Sequence, residues 1–328
     1  MPEFSVIIPN YNHAGFLEQR IDSVLKQDYG DFEVIIIDDS STDSSRKIIE
    51  QYRNHEKVKH IIYNETNSKS PFKQWAKGIE NAAGEFIWIA ESDDIASPEF
   101  LKTASQAFRE FPGTGIFYCD GTIYDEERKI NLKKFSEIKD HIYATDKWSL
   151  PYSNGGIKEL NEYLKFDCTI NNASSTVFRK KKAMNIYQEA SGFHYFGDWY
   201  FYIQLCLVSD VYYCNLPLNT YRRHKDSHLS SSPLVFLERL EYFLILKTLY
   251  GNEKITDKRQ LLNHFSYYYL HPGLFKHGLK NAFTIFLLYV KTDWRLAFRI
   301  FPRVLFAKSF RQLYKKYKVR EIYYTEEI

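Results

Sequence analysis

The chain has 328 residues, which allows about two domains of ordinary size. Its 44% hydrophobic and 26% charged residues exclude a disordered or collagen-like chain, and no run of 18 apolar residues offers a membrane-spanning helix. The formal net charge of +3 hides a polarity: residues 259–320 hold 13 Lys and Arg against one acid, Asp293, leaving 31 basic and 40 acidic residues elsewhere.

The first residues, Met1 to Pro9, carry no basic leader and run straight into an apolar strand, so no secretory signal is expected. Ser5-Val6-Ile7-Ile8 reads as a strand buried on both faces, and Phe16, Leu17, Ile21, Val24 and Leu25 follow at helical spacing. Glu33 to Ile37 forms a second buried strand. It stops at Asp38-Asp39-Ser40-Ser41-Thr42-Asp43, a polar cluster able to cap the helix that carries Ile48, Ile49 and Tyr52. Val58 to Tyr63 is a third strand, followed by a helix with Trp75, Ile79 and Ala82 and with Gly84 as its expected C-cap. Phe86 to Ala90 is the fourth strand and ends in Glu91-Ser92-Asp93-Asp94; Gly115 to Cys119 is the fifth. The four cysteines form no CxxC pair, which points away from zinc and disulfide frameworks and toward reduced thiols in a cytosolic protein.

Alternating strands and helices imply a mostly parallel sheet covered on both faces, with ligands bound beyond the carboxyl ends of its strands. Asn10-Tyr11-Asn12, Asp38-Asp39 and Asp93-Asp94 all fall there. There is no GxxxxGK[ST] loop, and Gly113-Thr114-Gly115 lacks the third glycine of a dinucleotide fingerprint. A rim rich in carboxylates and poor in glycine would repel phosphates unless a divalent cation, Mn²⁺ or Mg²⁺, stood between them.

Ser5 to Asn12, Ile37 to Asp43 and Gly84 to Asp94, in this order and spacing, resemble family 2 glycosyltransferases of the GT-A fold over residues 4–120, and more weakly to about residue 230. The resemblance implies a GT-A domain over 1–230, with a nucleotide-binding half at 1–120 and an acceptor half at 121–230, and leaves 231–328 as a helical, basic, aromatic extension. It implies that Tyr11 stacks on the nucleotide base, that Asp39 accepts the base's imide N–H, and that Pro9 offers only its backbone carbonyl, with Asn12 beside them. Asp94 becomes the metal ligand and Asp93 faces the donor ribose or sugar. Lys69 and Lys73 are both candidates for the diphosphate. His224, after Tyr221-Arg222-Arg223, matches a further metal or diphosphate contact. Asp198, in Phe193 to Phe201, matches the base that takes the acceptor hydroxyl's proton; locally it also suits a helix N-cap.

The tail carries Phe283, Phe286, Leu287, Val290, Trp294, Phe298 and Phe301 at helical spacing, interleaved with Arg295, Arg299 and Arg303, and Pro302 should kink it. Such a helix suits an anionic membrane surface, or packing on the acidic body; nucleic acid fits less well, because the bases come with bulky apolar residues. The expected protein is an inverting, metal-dependent transferase. It would move a sugar from a nucleoside-diphosphate sugar, on the imide argument a UDP-sugar, to a glycan or lipid-linked acceptor at the inner face of the cell membrane. The alternatives are a sugar nucleotidyltransferase, which would open on a glycine- and lysine-rich loop, and a non-catalytic nucleotide-sugar-binding subunit.

Overall fold

Strand β1 (Phe4–Asn10) is buried at every residue, and so is β2 (Phe32–Asp38), because β-branched runs suit a pleated sheet covered on both faces. The computed structural model describes residues 1–225, 235–270 and 279–305. Two compact units are present: Met1–Gly156 with Ile170–Lys225, and Ile157–Thr169 with the chain from Asp226 onward. The sequence suggests a boundary at 230 and gives no sign that 157–169 belongs with the C-terminal stretch.

The first unit also contains α1 (Ala14–Leu25), α2 (Ser45–Gln51), β3 (Val58–Tyr63), α3 (Pro71–Asn81), β4 (Phe86–Ile89), β5 (Ile95–Ala96), α4 (Phe100–Glu110), β6 (Thr114–Asp125), β7 (Ile130–Lys134), α5 (Phe135–Tyr143), β8 (Tyr152–Asn154), β9 (Thr176–Arg179), α6 (Gly197–Cys206) and β10 (Asp210–Arg223). Its sheet runs β3-β2-β1-β4-β9-β6-β10-β5, with β7 beside β6 and β8 beside β10. The β3-β2-β1-β4 half is wholly parallel, and β6 and β10 form the longest parallel ladder. The antiparallel ladders of β9, β8, β7 and β5 are short, so the sheet is mixed but mostly parallel. Cys119 and Cys214 stand opposite one another in the β6–β10 register, both buried and unbridged.

Successive strand residues point to opposite faces. Val6 and Ile8 therefore join Leu17 and Ile21 of α1 and Phe100 and Leu101 of α4 in one core. Ile7 faces the other way, against α3, where a Cβ on Gly78 would lie 2.4 Å from Ile7 Cγ2; only glycine lets that helix come so close. Gly84 is not the C-cap of α3, which ends at Asn81 with Ala82 as cap. It is a close-approach residue: its N–H donates to Ser5 Oγ at 2.8 Å, and a Cβ would lie 2.6 Å from Ser5 N. Because β1, β2, β4, β6 and β10 all run in one direction, the segments after β1, β2, β4 and β10 share a rim.

The described part of the second unit holds α7 (Val235–Gly251), α8 (Lys258–His264), which continues as a π-helical turn to Leu270, and α9 (Leu279–Leu305). Residues 157–169 are tied into it: buried Lys165 donates to Thr256 O at 3.0 Å, and Phe166 O meets His264 Nε2 at 2.9 Å and Tyr269 OH at 2.7 Å. Helix α9 bends at Asp293 (φ −160°, ψ 97°), whose Oδ1 accepts Leu296 N–H at 3.0 Å and so caps a new helical arm. Pro302 lies within that arm, so the bend comes from the aspartate and not from the proline. Among the described residues no helix is long and apolar enough to cross a membrane. Of the basic stretch 259–320, residues 271–278 and 306–320 lie outside the described residues.

Candidate active site

The rim is knit by short polar loops. Asn10 Nδ2 donates to Asp38 Oδ1 at 2.9 Å, Asp38 Oδ2 accepts Ser41 N–H at 3.1 Å, and Asn12 Oδ1 accepts Thr42 N–H at 2.8 Å. Asn12 takes a left-handed φ of 54°, which asparagine tolerates better than most residues. Pro9 is buried in register with Ile37, while Tyr11 is 45% exposed, open for a planar ring to stack on. Asp39, only 4% exposed, holds the next loop: it accepts Asn64 Nδ2 at 2.6 Å, Ser68 N–H at 3.0 Å and Ser68 Oγ at 2.8 Å. Lys69 and Lys73 sit exposed where that loop enters α3, with Lys73 Nζ 3.5 Å from Ser68 O.

After β4 the two aspartates part company. Asp94 is turned inward and 1% exposed: it accepts Asn172 Nδ2 at 2.9 Å and Arg222 N–H at 3.1 Å, with Asn219 Nδ2 at 3.4 Å. Asp93 faces the rim, where its Oδ2 meets His224 Nε2 at 3.0 Å. His13, at the start of α1, completes a group in which one potential ligand atom each from His13, Asp93 and His224 lies within 4.8 Å of the others. Ser92 Oγ meets His13 Nδ1 at 2.8 Å and fixes that ring. The resemblance implies Asp94 with His224 as ligands; the geometry brings Asp93 to His224, because Asp94 is already enclosed by amide donors. Sequence reading missed His13, whose one signal is its place two residues after Tyr11.

The electrostatics follow from crowding. Burial, then the Asp93 charge, pushes Glu91 up to about 8, and the same two causes raise Asp94 to about 6. Burial also works against the charge of Asp93, yet its His224 hydrogen bond and the His13 and His224 charges hold it below the ordinary aspartate range. Beneath them lies Arg20, fully buried, with Nε donating to Glu91 O at 2.9 Å and its guanidinium 5.3 Å from the Trp88 ring centroid. Burial lowers Arg20 to about 10, against the opposing pull of the Asp94 and Asp93 charges, so it stays cationic at neutral pH.

Asp198 lies in the first turn of α6, half-buried, with Oδ1 accepting Trp199 N–H at 2.7 Å. Phe196, not Asp198, is the N-cap residue. The stretch is seated on α3: Ser70 Oγ donates to Phe193 O at 2.9 Å, Gly197 fits against Phe72, and Phe201 meets Trp75 edge-on at 6.3 Å between centroids. Trp75 Nε1 in turn donates to Glu91 Oε1 at 2.8 Å, so α3 links the Asp198 segment to the acidic motif.

The chain belongs to glycosyl transferase family 2, whose family model matches residues 5–186. It is 40% identical over 107 residues to the poly(ribitol-phosphate) beta-N-acetylglucosaminyltransferase TarS of Staphylococcus aureus, covering 32% of this chain and 18% of TarS. It is 26% identical over 196 residues to the GalNAc(5)-diNAcBac-PP-undecaprenol beta-1,3-glucosyltransferase of Campylobacter jejuni, covering 58% of this chain and 62% of that one. Both matches thus span less than two thirds of the relative. The crystal structure of S. aureus TarS 1–349 in complex with UDP-GlcNAc shares the fold, with a TM-score of 0.70 at 19% identity over 94% of this chain and 92% of that one. A mannosyltransferase from Pyrobaculum calidifontis, in complex with GDP-Man and Mn²⁺, superposes with a TM-score of 0.55 at 13% identity, over 96% and 88%.

Proposed function

We propose that this protein is an inverting glycosyltransferase that moves a sugar from a nucleoside-diphosphate sugar, a UDP-sugar, to a hydroxyl of a glycan or lipid-linked glycan. The observation that carries the reading is the convergence of His13, Asp93 and His224 from three distant stretches at the carboxyl ends of β1, β4 and β10, in a chain of this family. Two imidazoles and a carboxylate fit Mn²⁺ better than Mg²⁺, which prefers oxygen ligands throughout. A bound cation there supplies positive charge for the leaving diphosphate. Tyr11 offers its ring to the base, Pro9 a backbone carbonyl, and Asn12 holds the two rim loops in register. Asp39 accepts the base's imide N–H, which requires Ser68 to give up one of its bonds to that carboxylate. Lys69, on the loop before α3, and Lys73, in the first turn of α3, are the candidates to meet the diphosphate.

Asp198 takes the proton from the acceptor hydroxyl as that oxygen bonds to the anomeric carbon; the bond from that carbon to the diphosphate oxygen breaks, and its electron pair leaves with the nucleotide. One displacement inverts the anomeric centre and needs no second carboxylate. Thermal unfolding with nucleoside diphosphates tests the donor class, since a ligand bound only by the native state raises Tm. UDP with Mn²⁺ should give the largest rise among the simple diphosphates, and UDP alone a smaller one. A larger rise with GDP would overturn the assignment of Asp39 and Tyr11.

A further inference from the structure

We propose that helix α9 is a docking surface for an anionic lipid bilayer. An amphipathic helix of a globular protein needs one apolar face, which it buries. Helix α9 has two. Ile285, Tyr289, Leu296 and Ile300 are buried, Tyr289 stacked on Phe243 of α7 at 4.3 Å between centroids. On the outer side, Phe283 is 61% exposed, Leu287 49%, Trp294 59%, Phe298 59% and Leu305 41%. These positions are four residues apart on the first arm, and four then seven apart on the second, so each arm carries an outward apolar stripe.

Charge selects the occupant. Helix α9 contains five basic residues and one acid, and that acid is spent inside the helix, where Asp293 caps the second arm. Lys291, Arg295 and Arg299 are exposed beside the stripe, and the Arg295 guanidinium lies 5.4 Å from the Trp294 ring centroid. Bulky apolar and aromatic groups flanked by guanidinium and ammonium groups match the boundary of a bilayer, where rings enter the acyl region and the cations stay with the headgroups. A negatively charged leaflet supplies the missing countercharge. A second copy of the same helix would oppose cations to cations.

The molecule carries its own probe. Of its five tryptophans, Trp75, Trp88, Trp148 and Trp199 are at most 4% exposed, so Trp294 alone reports on contact with lipid. The full chain is mixed with phosphatidylglycerol vesicles bearing brominated acyl chains, or with phosphatidylcholine vesicles bearing them, and both sedimentation and tryptophan emission are read. At low salt the protein should sediment with the phosphatidylglycerol vesicles and its emission should be quenched, and phosphatidylcholine should do neither. Salt at about 0.5 M should lower the bound fraction several-fold by screening. Trp294→Phe should still sediment but lose the quenching; Phe283→Ser with Phe298→Ser should lower the bound fraction about tenfold, with near-ultraviolet circular dichroism checking that it folds. Three results would overturn the proposal: wild-type protein left in the supernatant at low salt, sedimentation without quenching, or a solution dimer that the double variant dissociates in place of vesicle binding.

Discussion

The acidic rim and the outer face of α9 solve opposite problems. At the rim, charges are taken out of water and must be paired: Asp94 is met by amide N–H groups, Asp93 by His224, and three carboxylates lie over buried Arg20. On α9 the charges stay in water, and it is apolar side chains that lack cover. The rim group is assembled from residues 13, 93 and 224, whereas the whole α9 stripe lies between residues 283 and 305. A site made by topology is fragile to single buried substitutions; a stripe made by local spacing loses strength one residue at a time.

The contrast is best broken at its chemical end. Asp198→Asn keeps size and polarity but removes the base, so transfer should fall by roughly 10²–10⁴ while donor affinity stays within a few-fold. Initial-rate kinetics beside calorimetric donor binding would check this, and near-normal transfer would place the base elsewhere. A smaller effect separates the neighbouring aspartates. Asp93→Asn should weaken Mn²⁺ at least about tenfold, followed by the paramagnetic resonance of the free ion, with the melting temperature little changed. Asp94→Ala should chiefly destabilise the fold, by about 1–3 kcal/mol, because it strands the Asn172 amide and the Arg222 N–H. The reverse pattern would make Asp94 the ligand.

An effect of pH belongs to the second unit. Burial lowers His264 from 6.5 to about 3, so the folded unit keeps this imidazole neutral. Below pH 6.5 the unfolded chain takes up a proton that the folded state refuses. Stability is therefore full above 6.5 and should fall by up to about 1.4 kcal/mol for each pH unit toward 3. Denaturant unfolding of wild type and His264→Gln at pH 7, 6 and 5 would show it; parallel pH profiles would remove His264 as the cause.

Much of this was legible in the sequence, and the gaps have physical reasons. Runs such as Val34-Ile35-Ile36-Ile37 dictate buried strands, and strand–helix alternation then puts Asn10, Asp38 and Asp93 on one rim. Spacing cannot say which of Asp93 and Asp94 turns inward. That depends on Asn172, Asn219 and the Arg222 N–H, supplied 78, 125 and 128 residues later. His13 was missed because it becomes a metal candidate only when β10 brings His224 beside it, with ring centroids 5.5 Å apart. At the other end, Pro302 attracted the expected bend, yet Asp293 supplies what a bend needs, an acceptor for the first N–H groups of a new arm.

The segment Ile157–Thr169 also bears on synthesis. It leaves the ribosome inside the first unit's sequence, yet its buried Leu160, Leu164 and Phe166 belong to the second unit, whose other residues begin at Asp226. At about 5–20 residues per second, these apolar side chains and the Lys165 ammonium wait on the order of ten seconds before their helices emerge. A nascent chain stalled before α7 would therefore present a short apolar helical segment whose partners have not yet been made. The order of translation makes that interval the one in which a chaperone has most to shield.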